Sequence, residues 1–282
     1  MLRVEYLRVG SCCHPEWVTL RGGSLHNVTF PALAVLIHHP THGYYLFDTG
    51  YSARFNQVTQ HFPECMYRWV TPMHFGAHDD IVFQLAERGI GANDIQGVFI
   101  SHFHADHVAA LIDFPHASYL ALQASYDGMR PLRGLSALRR GFLPALLPND
   151  FPQRYQAIES YANEVALPNK MQPFNTGYDV FSDGSVFAVP LPGHARGQMG
   201  LWLNGVEQGG DVFLVADACW STRAYRELRA PSMLSFLLHD HRASYLSTLN
   251  KIHQLSQHNQ GVIIMPSHCE MILSRYVGVK CD

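Results

Sequence analysis

The segment Ser101-His102-Phe103-His104-Ala105-Asp106-His107 constrains this chain most, because it follows directly on the apolar residues Val98-Phe99-Ile100. Histidine and carboxylate side chains are the usual ligands of zinc and related divalent metals. Alternate side chains of an extended chain point the same way, so the first two histidines face one side. A turn at the small alanine directs the aspartate and the third histidine to a neighbouring point. The segment therefore predicts two metal ions about 3.5–4 Å apart at the end of a buried strand.

Three further potential ligands also stand at the ends of predicted strands. His194 follows residues 186–191, Asp217 follows residues 212–216, and His268 comes shortly after residues 262–265. Side chains that leave strand ends can converge on one edge of a sheet sandwich, where a rigid scaffold holds a site. We therefore expect these residues to join the site formed by the first segment.

The remaining pattern predicts one α/β domain over residues 1–282. Alternation and apolar runs predict further strands at residues 2–9, 30–38, 44–47, 178–191 and 200–203. Helical spacing predicts a helix at 79–88, capped by Asp79 or Asp80, and an amphipathic helix at 243–257. The arginine-containing block 127–175 predicts an insertion or lid rather than part of a sheet, with helices at 136–147 and 152–167.

The composition limits the expected partners and the expected cellular location. The net charge is -3, so nucleic acid is not an expected partner. No apolar run is long enough to span a membrane, and no signal-peptide pattern opens the chain. The six cysteines form no C-x-x-C pair, which is typical of a reducing cytoplasm. We expect a small-molecule substrate and a cytoplasmic location, and leave open whether the chain forms a homodimer.

The motifs together resemble the metallo-β-lactamase superfamily. The resemblance rests on the order of His102-Phe103-His104-Ala105-Asp106-His107, Gly193-His194, Asp217 and His268, and on the early turn Phe47-Asp48-Thr49-Gly50. It implies an αββα four-layer sandwich with a dinuclear site between the sheets. It also implies two divalent metal ions, with zinc expected first and iron, manganese or cobalt as alternatives.

The resemblance assigns a role to each of these residues. It implies that Asp217 bridges both metals together with a hydroxide, which makes it a catalytic residue alongside Asp106. Asp48 would orient a ligating histidine, although an aspartate here can equally cap a turn. The implied ligands of the first metal are His102, His104 and His194, and those of the second are Asp106, His107 and His268.

Within the superfamily, the stretch Gly193-His194-Ala195-Arg196-Gly197-Gln198 is similar to N-acyl homoserine lactonases and to glyoxalase II-type thioesterases. The lactonase likeness implies a hydrolase that opens a lactone or cleaves a carboxylic ester. Trp220 stands where those lactonases have a tyrosine, and Tyr225 is an alternative source of a hydroxyl. An indole N–H donates a hydrogen bond but cannot serve as an acid in the same way.

Other functions remain open alternatives. A thioesterase or a phosphodiesterase of the same fold would use the same ligands. A thioesterase for glutathione adducts is disfavoured, because only Lys251 and Lys280 follow His194. A binding protein without turnover is disfavoured because all seven ligand positions are filled. The segment His239-Asp240-His241 also offers paired histidines, but it lacks partner ligands in the sequence.

Overall fold

Apolar runs in the sequence become strands that are buried on both faces. In the strand Asn27–His39, Leu33, Val35 and Ile37 enter one hydrophobic cluster, while Ala34 and Leu36 enter another. Successive side chains of a strand point to opposite faces, so a run without polar interruption requires cover on both sides. The run therefore places this strand inside a layered structure.

The computed structural model describes residues 1–207 and 209–277, and within these ranges the strands form two sheets. The first sheet has the order β4-β1-β2-β3-β5-β6-β7, and the second has the order β13-β12-β11-β10-β9-β8. The strands are β1 Arg3–Pro15, β2 Asn27–His39, β3 Gly43–Phe47, β4 Met73–His74, β5 Ile95–Phe99, β6 Ser118–Ala121, β7 Tyr155–Ala157, β8 Asn163–Ala166, β9 Thr176–Asp179, β10 Val186–Pro190, β11 Met199–Leu203, β12 Asp211–Ala216 and β13 Val262–Pro266.

Helices lie among these strands and are mostly short. The α-helices are α1 Glu16–Thr19, α2 Arg54–Val58, α3 Cys65–Val70, α4 Ile81–Ala86, α5 Ala105–Val108, α6 Gln123–Met129, α7 Gly134–Leu138, α8 Phe151–Arg154, α9 Thr222–Arg226, α10 Arg242–His258 and α11 Glu270–Tyr276. The 3₁₀ turns are Ala77–Asp79, Ala92–Asp94, Leu111–Asp113, Pro144–Leu146, Ile158–Ser160, Asn169–Met171 and Ser235–Leu237.

Three hydrophobic clusters define four layers. The central cluster joins inward side chains of both sheets, such as Val35 and Leu201. A second cluster packs the outer face of the first sheet against helices that include α4 and α6. A third packs the outer face of the second sheet against α9 and α10, for example Trp202 near Leu249 and Ile252. This arrangement confirms the predicted αββα four-layer sandwich.

Several sequence predictions are confirmed in detail. Strands β2 and β3 pair as an antiparallel hairpin, from Val35 opposite Phe47 to His39 opposite Gly43. Helix α4 lies within the predicted range 79–88, and the carboxylate of Asp80 caps it by accepting from the N–H groups of Val82 and Phe83. Helix α10 covers the predicted amphipathic helix at 243–257.

The secondary structure predicted for the block 127–175 is wrong in two places. Of the helix expected at 136–147, only residues 136–138 at the end of α7 are α-helical. The helix ends there because Gly141 has a φ of 63° and Pro144 follows. The helix expected at 152–167 is replaced by strands β7 and β8. Strand β7 pairs with β6 in the first sheet and β8 pairs with β9 in the second, so the block contributes an edge strand to each sheet. Hydrogen bonding to these open edges outweighs the weak helical spacing.

Among the described residues, no helix is long and apolar enough to cross a membrane. Lys280, which entered the argument against a glutathione thioesterase, lies outside the described residues.

Candidate metal centre

Strand ends of both sheets meet at one edge of the sandwich and carry the candidate ligands there. His102 and His104 follow β5 of the first sheet, whereas His194, Asp217 and His268 follow β10, β12 and β13 of the second. The N–H of Met199 donates to the carbonyl of Ser101 at 3.0 Å, which ties the two sheets together here. Asp106 and His107 lie in α5, directly after the strand exit.

Local backbone geometry explains why these turns have their sequences. Gly193 precedes His194 with a φ of 131°, and a Cβ at this position would lie 2.1 Å from the backbone nitrogen of Tyr245 in α10. Only glycine therefore lets the His194 loop approach α10 so closely. Ala216, directly before Asp217, has a φ of 48°, a conformation that is costly for a residue with a Cβ.

Four of the candidate side chains form the first ligand group: His102, His104, His194 and Asp217. One potential ligand atom from each lies within 4.8 Å of all the others. The Nε2 atom of His194 lies 3.0 Å from Nδ1 of His104 and 3.3 Å from Oδ2 of Asp217. Three nitrogen ligands and one carboxylate oxygen match the donor set that zinc accepts.

The other three side chains, Asp106, His107 and His268, form the second ligand group, whose ligand atoms also lie within 4.8 Å of one another. The Nε2 atom of His268 lies 3.4 Å from Oδ2 of Asp106, and that of His107 lies 3.9 Å from the same oxygen. The grouping corresponds to the two sets of ligands that the resemblance implied.

Asp217 lies between the two ligand groups. Its Oδ2 atom faces His194, its Oδ1 atom lies 3.3 Å from Nε2 of His107, and Nε2 of His268 lies 3.1 Å from Oδ1 and 3.2 Å from Oδ2. A carboxylate can bind two metal ions through its two oxygens. The geometry therefore suits a shared ligand at this position.

Buried atoms without hydrogen bonds test whether metal ions fit this centre. Nε2 of His102, Nε2 of His107 and Oδ1 of Asp217 have no hydrogen-bond partner among the described residues. The last two lie only 3.3 Å apart, yet their geometry is not that of a hydrogen bond. Buried polar atoms are normally paired, so unpaired ones that converge on two points fit metal ligation.

Contacts on the far side of the imidazole rings fix their orientation. The carboxylate of Asp48, which is fully buried, accepts from Nδ1 of His107 at 2.7 Å and from the N–H of Ser101 at 2.8 Å. Nδ1 of His268 donates to the carbonyl of Pro31 at 2.7 Å. When the two rings are neutral, as metal ligands must be, these bonds place the lone pair on Nε2, which is directed at the centre. Asp48 therefore contacts a ligand ring, in addition to lying in a turn.

The hydroxyl of Ser101 adds a third such contact. It donates to Asp48 at 2.7 Å, so it can accept from Nδ1 of His102 at 3.0 Å. Neither Ser101 nor Pro31 was expected from the sequence. A serine after an apolar strand is common, and a backbone carbonyl carries no residue-type signal.

The pKa values of the histidines are shifted in opposite directions in the two ligand groups when no metal is bound. Burial lowers the pKa of His102 and of His194 well below the usual histidine value. Burial also lowers the pKa of His104 to about 4, although nearby carboxylates oppose the shift. These three rings are therefore neutral at pH 7, as metal ligands must be.

The second ligand group behaves in the opposite way. Burial alone lowers the pKa of His107, but the charge of Asp48 and of other carboxylates outweighs it and raises the pKa well above its usual value. The pKa of His268 is raised in the same way, chiefly by Asp217. Burial raises the pKa of Asp217, but the imidazole of His268 and its neighbours hold it well below the usual range. Without metal, the surroundings therefore favour the charged forms of Asp217, His107 and His268 over their neutral forms.

Trp220 and Tyr225, the two candidates for substrate contact, lie in different surroundings. The indole of Trp220 lies 4.9 Å from the ring of His268 and 6.3 Å from that of His194, measured between centroids, and packs edge-on against Phe30. Tyr225 is buried in the cluster under α10, where burial raises its pKa to about 12. Trp220 therefore borders both ligand groups, whereas Tyr225 belongs to the packed core.

The segment His239-Asp240-His241 lies beside the first ligand group, which its sequence position did not indicate. The ring of His239 is 4.7 Å from that of His194, and burial lowers its pKa to about 4. The N–H of Asp240 donates to the carbonyl of His194 at 2.9 Å. The ring of His241 caps α10 through the N–H of Ser244.

A cavity of about 320 Å³ opens directly beside the first ligand group. His104 and His194 contribute to its wall, and an ion pair of 3.1 Å between Arg140 and Asp240 lies at its boundary. The full lining is Phe103, His104, Ser125, Asp127, Gly128, Met129, Pro131, Leu132, Arg140, Phe142, His194, Ala195, Arg196, Leu238 and Asp240. Much of it comes from the block 127–175.

Comparison with known proteins decides the family. The sequence model of the Metallo-beta-lactamase superfamily matches residues 28–256, which contain six of the seven candidate ligands. The chain belongs to the metallo-beta-lactamase superfamily. The seventh ligand, His268, lies beyond the matched residues but within the same centre.

Among curated relatives, this superfamily member is similar to the N-acyl homoserine lactonase AttM of Azorhizobium caulinodans. The two are 26% identical over 158 residues, which cover 55% of this chain and 52% of AttM. AttM of Agrobacterium fabrum is 24% identical over the same shares. The chain thus spans about half the length of the curated relatives it matches.

Solved structures extend the likeness over nearly the whole chain. An AiiA variant of B. thuringiensis with N-decanoyl-L-homoserine bound at its active site superposes with a TM-score of 0.71. It is 18% identical, and the match covers 99% of this chain and 98% of AiiA. At this identity the likeness establishes the shared fold.

Proposed function

We propose that this chain is a metal-dependent hydrolase that opens the ring of a lactone, with N-acyl homoserine lactones as the first class to test. The observation that carries the proposal is the position of Asp217 between two groups of converging ligand atoms, three of which are buried without a hydrogen-bond partner among the described residues. Two nearby divalent ions suit displacement at a carbonyl carbon, where charge develops on oxygen. The similarity to AttM and the fold shared with AiiA point to a lactone among carbonyl substrates.

The seven candidate ligands would hold two metal ions. His102, His104 and His194 would hold one ion, Asp106, His107 and His268 the other, and Asp217 would contact both. When bound, a pair of divalent ions supplies Lewis acidity and a hydroxide nucleophile near neutral pH. Asp48 and Ser101 keep the rings oriented during turnover through the bonds described above. Nitrogen and carboxylate donors suit zinc, and also accept iron, manganese or cobalt.

The cavity beside the first ligand group would receive the side chain of the substrate. Its volume of about 320 Å³ lies in the usual range for small-molecule sites. Met129, Leu132 and Leu238 offer apolar surface to an acyl chain. Arg140 and Arg196 offer hydrogen-bond donors for a carbonyl or an amide oxygen.

Trp220 would form the wall on the other side of the centre. Its ring lies near both ligand groups and packs edge-on against Phe30, so it adds an apolar surface beside the reacting carbonyl. The indole N–H can donate to a carbonyl oxygen but cannot deliver a proton to the leaving oxygen. This surface therefore suits a substrate whose leaving oxygen takes its proton from water and not from the protein.

The test combines metal analysis with a substrate panel. Purified protein is analysed for metal content and assayed on acyl lactones, aryl esters, thioesters and phosphodiesters. About two metal ions per chain with preferential lactone turnover is the expected result. Two metal ions with turnover of another bond only would assign the chain to a thioesterase or phosphodiesterase function, and failure to bind metal after reconstitution would overturn the metal centre.

The substitution Asp217→Ala provides the mechanistic control. Removal of the shared carboxylate should abolish turnover and lower metal content while the protein stays folded. Asp211→Ala is the matched variant, because Asp211 begins the same strand β12 but pairs with Lys170 instead. Near-native activity of Asp217→Ala would contradict the shared-ligand role.

A further inference from the structure

Three ligand histidines have an identified partner on the side of the ring that faces away from the centre. His107 is held by Asp48, His268 by the carbonyl of Pro31, and His102 by the hydroxyl of Ser101. Such outer contacts set the tautomer of a metal-ligating imidazole and raise its basicity. Of the two candidate histidine ligands carried by the second sheet, His194 is the one whose outer nitrogen has no such partner among the described residues.

His194 directs Nε2 at the centre, since this atom faces His104 and Asp217. Its other nitrogen, Nδ1, is buried and has no hydrogen-bond partner among residues 1–207 and 209–277. A buried N–H without a partner costs about 1–3 kcal/mol. The ring therefore requires an acceptor on its outer side.

His239 is placed to provide it. Only 8% of His239 is exposed, and its ring centroid lies 4.7 Å from that of His194 with the planes at 69°. Its Nδ1 atom is likewise buried without a partner in the described part of the chain. Two unpaired nitrogens thus occur on neighbouring buried rings.

The surroundings hold the two rings together. The N–H groups of Asp240 and His241 donate to the carbonyls of His194 and Gly193 at 2.9 and 3.0 Å, which joins the two loops as a short ladder. Phe236 and Tyr245 pack against His239 at 5.0 and 4.7 Å between centroids. His239 therefore has little freedom to leave His194.

We propose that His239 is a positioning residue that accepts a hydrogen bond from Nδ1 of His194 and so directs Nε2 of His194 at the first metal ion. The proposal rests on the metal centre of the proposed function. The two unpaired Nδ1 atoms belong to rings whose centroids are 4.7 Å apart, which is within the reach of a hydrogen bond between the rings. The paired histidines of the 239–241 segment thus support a metal site instead of forming one.

The proposed contacts from Ser235 to His239 and from His239 to His194 require tautomers of the two histidines that are compatible with each other. Nε2 of His239 lies 3.4 Å from the hydroxyl of Ser235 and can donate to it. Nδ1 of His239 then carries a lone pair and accepts from Nδ1–H of His194. Nε2 of His194 is left with the lone pair that a metal ion needs.

The experiment measures metal affinity, which does not depend on the substrate. The metal-free protein is titrated with Zn²⁺ in competition with a chromophoric chelator, for wild type, His239→Phe and His239→Gln. His239→Phe keeps a ring in the packed site but removes the acceptor, whereas His239→Gln keeps an acceptor. His253→Phe is the matched control, since His253 lies on α10 and bonds the carbonyl of Tyr225 instead.

We expect His239→Phe to weaken one of two zinc sites by about 10-fold to 100-fold, as outer-contact losses do. His239→Gln should recover most of this loss, and His253→Phe should bind both ions as wild type does. Equal zinc affinity of His239→Phe and wild type, or no recovery in His239→Gln, would overturn the proposal. If His239→Phe does not fold, Ser235→Ala tests the proposal instead, because it removes the hydroxyl that holds Nε2 of His239. It should weaken the same zinc site, and an unchanged zinc affinity would refute the proposed contact.

The outcome is separable from the proposed function. A wild-type protein that binds two zinc ions but opens no lactone would remove the substrate assignment and leave the role of His239 intact. A wild-type protein that binds no zinc would remove the metal centre and His239's role with it.

Discussion

Asp48→Asn should weaken zinc binding at the second ligand group without creating a cavity. Asp48 is fully buried, and its two oxygens accept from the N–H and hydroxyl of Ser101 and from Nδ1 of His107. Asparagine has nearly the same shape but replaces one oxygen with an NH₂ donor. If its oxygen stays on the N–H of Ser101, the NH₂ group faces Nδ1–H of His107. His107 must then move its proton to Nε2, the atom that binds metal.

The structure also limits how large the loss can be. The asparagine can flip so that its oxygen faces His107, but its NH₂ group then opposes the N–H of Ser101. One unpaired buried donor costs about 1–3 kcal/mol. Loss of an outer contact costs about 10-fold to 100-fold in metal affinity, which corresponds to about 1.4–2.8 kcal/mol. Because the two costs are similar, we expect zinc affinity to fall by about 10-fold to 100-fold. The free energy of unfolding should fall by no more than about 1–3 kcal/mol, which is the cost of one unpaired buried donor.

Chelator competition gives the zinc affinities, and urea unfolding of the metal-free protein gives the stability. Asp113→Asn is a suitable control, because Asp113 pairs with Arg54 away from the centre. Reduced affinity of a single site in Asp48→Asn, with Asp113→Asn unchanged, is the expected pattern. Native affinity for both zinc ions in Asp48→Asn would refute the idea that Asp48 sets the tautomer of His107.

Three further predictions concern protons, backbone and cavity. The pKa values of His107 and His268 are raised without metal, chiefly by nearby carboxylates, so zinc binding to the second ligand group should release protons and strengthen as pH rises towards those values; calorimetry in buffers of different ionisation enthalpy measures this, and release of no protons would contradict it. Gly193→Ala forces a Cβ into the backbone of α10, so thermal unfolding should show a large loss of stability, whereas Gly205→Ala, with open space around it, should lose far less. Leu238→Trp fills the cavity and should raise KM for decanoyl more than for butanoyl lactones, and an equal effect on both would place the acyl chain elsewhere.

The seven candidate ligands could be identified in the sequence because their signal is local. Each of His102, His194 and Asp217 comes at the end of an apolar run that must be a buried strand, and the residue type at that end is visible in the sequence. Burial on both faces also made the sandwich predictable, as in β2. Strand ends collect at sheet edges, so local signals were enough to bring distant residues to one centre.

The contacts that orient the ligands could not be predicted in the same way. The partner of His268 is the carbonyl of Pro31, 237 residues away, and every residue has a carbonyl. The position of His239 depends on a ladder of backbone bonds between two loops. Such contacts depend on where the loops meet, which is a property of the assembled fold.

The block 127–175 shows how packing decides what local pattern cannot. Strands β7 and β8 have only three and four residues and none of them is fully buried, so neither is long enough to show the alternation that marks a strand. They form because each sheet has an open edge whose unpaired N–H and carbonyl groups need partners. The same block then supplies Arg140 and Phe142 to the cavity beside the first ligand group. Residues of this block that line the cavity, such as Leu132, can vary, whereas Gly141 cannot, because its carbonyl accepts from the N–H of Ala105 and a Cβ there would lie 2.6 Å from the ring of His104. Substrate preference can therefore change in this block while the metal centre stays the same.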